Sequence, residues 1–260
     1  LGNSLNIPAL HAISYVGTAN YLSILHRLGF LGLDRGSDIY DEGLALGDGE
    51  VSLLEITSAY TALASRGIFH APQVLMQNFP SSSIRVYSDD AASLMGNILS
   101  DPWARQMEFG ASSVLNLPVQ TAVKTGTSTD YRDAWTIGFN DRYTVGIWMG
   151  NLDRSPMDGV TGSTGPALAM RSTFSILNRN RDTAGLYLSS NLIKKDVCIR
   201  PVENGRPCLK RSEWFIPGTE PDEYPSRIAG SHHIEMVRPT EGLQIAYDPR
   251  IPSAYQKFRF

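Results

Sequence analysis

The chain is 260 residues long, 42% apolar and 19% charged, proportions of an ordinary globular protein that exclude extended disorder and collagen-like repetition. Its 23 Lys plus Arg against 26 Asp plus Glu leave a net charge of −3, so no positive field exists to hold a nucleic-acid backbone. No apolar run is long enough to span a membrane as a helix, and Leu1 is followed by neither a basic nor an apolar leader. The chain therefore reads as a piece of something longer, which does not report its own targeting.

From residue 7 to 30 the pattern suits two helices. Ile7-Pro8-Ala9 opens the first, since proline is tolerated in a first turn. Val16-Gly17-Thr18 breaks it, and Thr18 or Asn20 is placed to cap a second helix carrying Tyr21, Leu22, Leu25 and Leu28. After a Gly- and Asp-rich loop at 44–50, Ser52-Leu53-Leu54-Glu55 has the form of a capping box. It leads a third helix with Leu53, Ile56, Tyr60 and Leu63 on one face and Arg66-Gly67 as its stop. Residues 88–99 predict another helix, with Asp89 and Asp90 in the first turn and Leu94, Met95 and Ile98 inward.

The character then changes. Residues 119–127, 133–139 and 143–149 are β-rich, with Asn140-Asp141 between the last two as in a hairpin, and 165–177 closes the segment as a helix. Helices packed on an antiparallel meander define an α+β domain. Beyond about Asn180 the chain reads as irregular, with a linker-like stretch at 217–225. From Ile234 apolar and polar residues alternate again, in a tail too short to bury a core alone.

Cys198 and Cys208 have nine residues between them, which is neither C-x-x-C nor enough for a four-ligand zinc site. A disulfide closing a short loop is the favoured reading and implies an oxidising compartment such as a periplasm; two unpaired thiols are the alternative. His11, His26, His70, His232 and His233 are scattered. The adjacent pair would point to opposite faces of a strand, so no metal site and no cofactor is expected.

Two short segments carry chemistry. Ser4-Leu5-Asn6 precedes the first helix, where Ser-x-Asn is equally an ordinary cap. Lys124-Thr125-Gly126-Thr127-Ser128 ends an apolar strand. There an ammonium and several hydroxyls can hold a carboxylate, while Gly126 lets a ligand backbone approach and add as a strand. The alternative is a strand end turning into a Ser/Thr-rich loop. Directly after it come Tyr131-Arg132-Asp133-Ala134-Trp135-Thr136-Ile137-Gly138-Phe139 and then 143–150, with a second tryptophan at Trp148. Trp135 is assigned to packing beneath the strand.

In this order the segments resemble the penicillin-binding proteins, specifically the transpeptidase domain of the bifunctional class A type. The superfamily's motifs are Ser-x-x-Lys, a Ser-x-Asn element and Lys-Thr-Gly. Ser4-Leu5-Asn6 matches the second and Lys124-Thr125-Gly126 the third, and 46–60 is similar to the family's segment between them. The two cysteines, 215–221 and 243–252 are similar to the 1C branch of the family. The resemblance implies a helix-on-antiparallel-sheet transpeptidase or serine β-lactamase-like fold. It divides the chain into the C-terminal half of a transpeptidase domain (1–180), a linker with the disulfide (181–233) and the start of a truncated β-sandwich (234–260).

The departure is that no Ser-x-x-Lys precedes Ser4, and Ser190 and Ser212 do not begin one either. The chain is therefore expected to hold half of an active site, to be inactive alone, and to show an exposed sheet edge and an unburied helix face. The implied reaction is acyl transfer from a D-Ala-D-Ala stem peptide of peptidoglycan, with β-lactams as further ligands. Ser4, Asn6 and Lys124 would be catalytic; Thr125, Gly126, Thr127 and Ser128 would bind substrate. A membrane anchor and a glycosyltransferase domain are expected upstream, in a periplasmic parent protein that works beside other cell-wall synthesis proteins. Two alternatives stay open. One is a non-catalytic binding or scaffold module, and the other a β-lactamase, whose hydrolytic glutamate would have to be Glu50 or Glu55.

Overall fold

The computed structural model describes residues 1–75, 82–200 and 208–221. The tail at 234–260 and the whole of 222–233, with His232 and His233, lie outside the described residues. Helices α1 (Asn6–Val16) and α2 (Thr18–Arg27) meet at Gly17, whose φ of 84° is the left-handed conformation the reversal needs. Neither Thr18 nor Asn20 caps α2; the Asn20 amide instead donates back to the Val16 carbonyl at 2.9 Å. Single turns follow at α3 (Ser37–Tyr40) and Glu42–Leu46.

Helix α4 (Leu53–Ala64) starts with the capping box, Ser52 and Glu55 bonding each other's backbone N–H groups. A small antiparallel pair, β1 (Ile68–His70) and β2 (Ser83–Arg85), precedes α5 (Asp89–Ser100), which Ser88 caps. After a 3-10 turn at Trp103–Arg105 and the short α6 (Gln106–Phe109), the chain enters the central sheet. Its strands are β3 (Ala122–Thr127), β4 (Asp133–Phe139) and β5 (Thr144–Gly150), antiparallel in the order β3-β4-β5. Helix α7 (Pro166–Leu177) begins with proline in its first turn, where a missing N–H costs nothing.

The pleat decides what each face of the sheet touches. Ile137 and Phe139 look toward α4 and α5: the Phe139 ring lies beside Gly96, and Gly146, opposite Ile137, packs on Leu53 and Thr57. Thr136 and Gly138 look toward α7, where Val123, Ala167, Met170 and Phe174 form a core cluster. A second cluster, built on Leu22, Phe30, Leu33, Ala62 and Phe69, holds the N-terminal helices together.

Besides the missing cap on α2, two further expectations differ from the structure. On α5 the buried positions are Ala92, Ser93, Gly96 and Leu99, with Leu94, Met95 and Ile98 only half-buried. The helix comes close enough to rest on Phe139 only through its small residues, and the larger ones flank that contact. The stretch beyond Asn180 is not irregular throughout. It contains an antiparallel ribbon of β6 (Ile193–Arg200) and β7 (Leu209–Phe215), joined by a Cys198–Cys208 disulfide with Cα atoms 5.6 Å apart. Among the described residues the outer edge of β3 carries no strand, and Ile7 and Tyr15 on α1 are 70% and 94% exposed. No helix there is long and apolar enough to cross a membrane.

Candidate active site

Ser4 sits in the turn that feeds α1, with φ at 54° and its N–H donating to the Leu1 carbonyl at 3.0 Å. A non-glycine residue in that region stores strain of about 1 kcal/mol or more and needs its surroundings to hold it. The hold comes from residues 104–108, the turn leading into α6 and α6 itself. Gly2 packs against the Ala104 backbone, and the Asn3 side chain accepts from the Glu108 N–H at 3.1 Å. That segment is pinned by Arg105, which is 3% exposed and donates to the Leu99 and Leu115 carbonyls at 2.8 and 3.0 Å.

Lys124 lies on β3, on the face turned toward α4 and α5, opposite Ile137. Its Nζ donates to Ser4 Oγ at 2.6 Å and to the Thr125 carbonyl at 2.7 Å, joining residues 120 apart in sequence. Burial pulls the ammonium's pKa from 10.5 down to about 8, because the charged form loses hydration there. A lysine so tuned holds a proton at neutral pH and can release it without a large change in conditions.

Thr125 and Thr127 point from the opposite face of β3, the one α7 covers. Thr127 is exposed, and its Oγ1 accepts from the Gly162 N–H at 3.1 Å; the Gly162 carbonyl accepts from Thr136 Oγ1 at 2.7 Å. At the strand end the Ser128 N–H donates inward to the Asp133 carbonyl at 2.9 Å. Alternation along the strand therefore turns the Thr127 N–H out to the open edge. With Gly126 presenting no side chain beside it, that edge can take an extended peptide and offer an N–H to a carbonyl oxygen.

Two of the expected site residues stand apart from this arrangement. The Ser128 hydroxyl donates to the Asp133 carboxylate at 3.0 Å, whose other oxygen accepts from Trp148 Nε1 at 2.9 Å, so its proton is used in holding the β3–β4 turn. Asn6 is exposed in the first turn of α1, and its side chain makes no hydrogen bond among the described residues. Trp135 packs against Trp148 with ring centroids 6.2 Å apart. Thr136, Gly162, Asn3 and Arg105 hold this arrangement in place through their hydrogen bonds, and the sequence does not single them out. Only the Gly- and hydroxyl-rich run at 159–165 carries any signal, and nothing local ties it to β3.

No protein-family model matches the chain. Penicillin-binding protein 1C of Escherichia coli is 29% identical over 229 residues, 85% of this chain and 29% of that protein. Penicillin-binding protein 1A/1B of Bacillus subtilis is 24% identical, over 95% of this chain and 30% of its own. The crystal structure of penicillin-binding protein 1A from Haemophilus influenzae matches with a TM-score of 0.65 and 21% identity, covering 86% of this chain and 40% of that one. The fold is that of a penicillin-binding transpeptidase domain. In sequence the chain is similar to class A penicillin-binding proteins over most of its length, and it spans under a third of the curated relatives it matches.

Within a penicillin-binding fold, the remaining candidate groups have structural duties. Glu55 is committed to the capping box and also accepts from the Leu31 N–H at 3.2 Å; the Ser52 hydrogen bonds hold its carboxyl below the usual range. Glu50 is exposed and pairs with Arg154 at 3.1 Å. Both carboxylates are thus bonded to groups other than Ser4 and Lys124. The described residues contain no group of three or more His, Cys, Asp or Glu arranged for a metal ion; His26 Nε2 lies 2.6 Å from the Leu33 carbonyl.

Proposed function

We propose that the chain carries part of the active site of a peptidoglycan D,D-transpeptidase, a serine acyltransferase of the class A penicillin-binding type. The observation that carries the reading is the 2.6 Å Lys124–Ser4 hydrogen bond beside an open strand edge. The substrate is a stem peptide ending in D-Ala-D-Ala, lying along β3 with its terminal carboxylate on the Thr125 and Thr127 hydroxyls. A serine hydroxyl attacks the penultimate carbonyl, and the outward Thr127 N–H supports the oxyanion. As the C–N bond breaks, the departing D-Ala amine takes a proton through Ser4, whose hydroxyl Lys124 orients. An amine of a neighbouring stem then displaces the serine ester and forms the cross-link, dividing one amide exchange into two easier steps.

None of the five lysines follows a serine by three residues, so the nucleophile of this mechanism lies outside the 260 residues and belongs to the same polypeptide. A glycosyltransferase domain, a membrane anchor and a periplasmic location are part of the same proposal. The Cys198–Cys208 disulfide supports the location, since such bonds persist in oxidising compartments.

The test is labelling of the full-length gene product with a fluorescent penicillin. Wild type becomes covalently labelled, and Lys124→Ala or Ser4→Ala lowers the acylation rate by about 10²-fold or more. Absence of wild-type labelling, or variants that label at the wild-type rate, would favour a non-catalytic cell-wall module.

A further inference from the structure

The loop between β5 and α7 is hydrogen-bonded to β3 through Gly162, and the hydrogen bonds there have a direction. A threonine hydroxyl has one proton and two lone pairs. The Thr127 oxygen accepts from the Gly162 N–H at 3.1 Å, so the loop fills one acceptor position and does not take the hydroxyl proton. Gly162 is itself fixed from below: Thr136, 0% exposed in the core of β4, donates to its carbonyl at 2.7 Å. Position 162 also has no room for a side chain. A Cβ there would meet the carbonyl oxygens of Gly126 and Trp135 and the Cβ of Thr125, so any substitution must lift the loop off the strand.

We propose that Gly162, tethered by Thr136, is a positioning residue that commits the Thr127 hydroxyl to act as a donor and so makes the β3 edge selective for a ligand with an ionised carboxylate. A carboxylate can only accept hydrogen bonds, and charge strengthens each one it accepts. A hydroxyl whose orientation is fixed before binding offers that donor without first being ordered. With the loop displaced, the Thr127 hydroxyl rotates freely and donates elsewhere, and the advantage of an anionic ligand over its neutral ester falls. The chemistry at Ser4 and Lys124 is untouched, because those side chains lie on the other face of β3.

This inference rests on the transpeptidase reading, and the experiment separates the two. The full-length gene product is acylated by benzylpenicillin and by its methyl ester, and second-order rates are compared for wild type, Gly162→Ala, Thr136→Val and Thr136→Ser. Thr136→Val keeps the buried shape of Thr136 and removes only its donor, so it tests the tether even where Gly162→Ala fails to fold. Gly162→Ala and Thr136→Val lower the benzylpenicillin rate by about 10- to 100-fold, the range for a hydrogen bond to a charged group, and leave the ester rate within about two-fold. Thr136→Ser, which retains the hydroxyl, restores the benzylpenicillin rate. Equal losses for the acid and the ester, or no loss for either, overturn the assignment of Gly162 while the transpeptidase reading stands. A wild type that reacts with neither ligand overturns that reading and this inference with it.

Discussion

Lys124 is the residue at which burial and chemistry meet. In the unfolded chain its ammonium keeps its proton to about pH 10.5, whereas burial brings the folded value to about 8. Between those values the unfolded state binds more protons, so stability rises with pH across that window. Tyr87 acts with the opposite sign: burial raises its hydroxyl from 10.0 to about 12, and Tyr60 is raised further by the same cause, so both oppose unfolding less as pH climbs beyond 10. Melting temperature is thus expected to climb from pH 8 toward 10 and then fall. Lys124→Met should remove the climb and keep the fall, which a pH series of thermal melts would show. Under the proposed function, penicillin acylation of the full-length gene product should decline above about pH 8, as the ammonium that orients Ser4 loses its proton.

At the scale of single elements, the best-specified helix is α4. Ser52 accepts from the Glu55 N–H at 3.2 Å while Glu55 Oε2 takes the Ser52 N–H at 2.8 Å, and the same carboxylate reaches Leu31 on the preceding loop. Ser52→Ala should therefore cost about 1 kcal/mol in denaturant unfolding, and more than an isolated cap if the Leu31 contact loosens with it. The β6–β7 ribbon is specified differently. Its strands are rich in charge on both faces, and Arg211 pairs with Asp101 and, at 2.9 Å, with Glu213. A two-stranded ribbon is marginal alone, so the Cys198–Cys208 bridge matters to it. Replacing both cysteines by alanine should remove roughly 2–3 kcal/mol from the ribbon, seen as faster amide exchange in β6 and β7 with β3–β5 unchanged.

Across the whole molecule, the three-stranded sheet is useful because both faces are covered: α4 and α5 on one side, α7 on the other. Phe174 and Met170 are fully buried on the sheet-facing side of α7, and that helix leads directly from the loop carrying Gly162. Phe174→Ala should cost about 3–5 kcal/mol in a chemical melt, since the sheet cannot collapse into the space. A loss under 1 kcal/mol would mean that α7 is not anchored through this contact.

The helices, the meander and the motifs are legible locally because their signals are local. A capping box spans four residues, a hairpin turn two, and Lys-Thr-Gly three, each with apolar spacing around it. The ribbon at 193–215 carries no such signal, because half-exposed charged strands have no apolar period. The buried face of α5 differs from its apolar spacing because the helix approaches Phe139 through Ala92 and Gly96, and the positions of its large residues do not reveal that. The site itself arises from contacts across the fold. Ser4 and Lys124 are 120 residues apart, Thr127 and Gly162 are 35, and Thr136 and Gly162 are 26. Motif spelling can nominate Ser4, Lys124, Thr125 and Thr127. Which hydroxyl faces the open edge, which one is absorbed by Asp133, and which lysine is stripped of water depend on strand register and burial, and those exist only once the distant segments have packed.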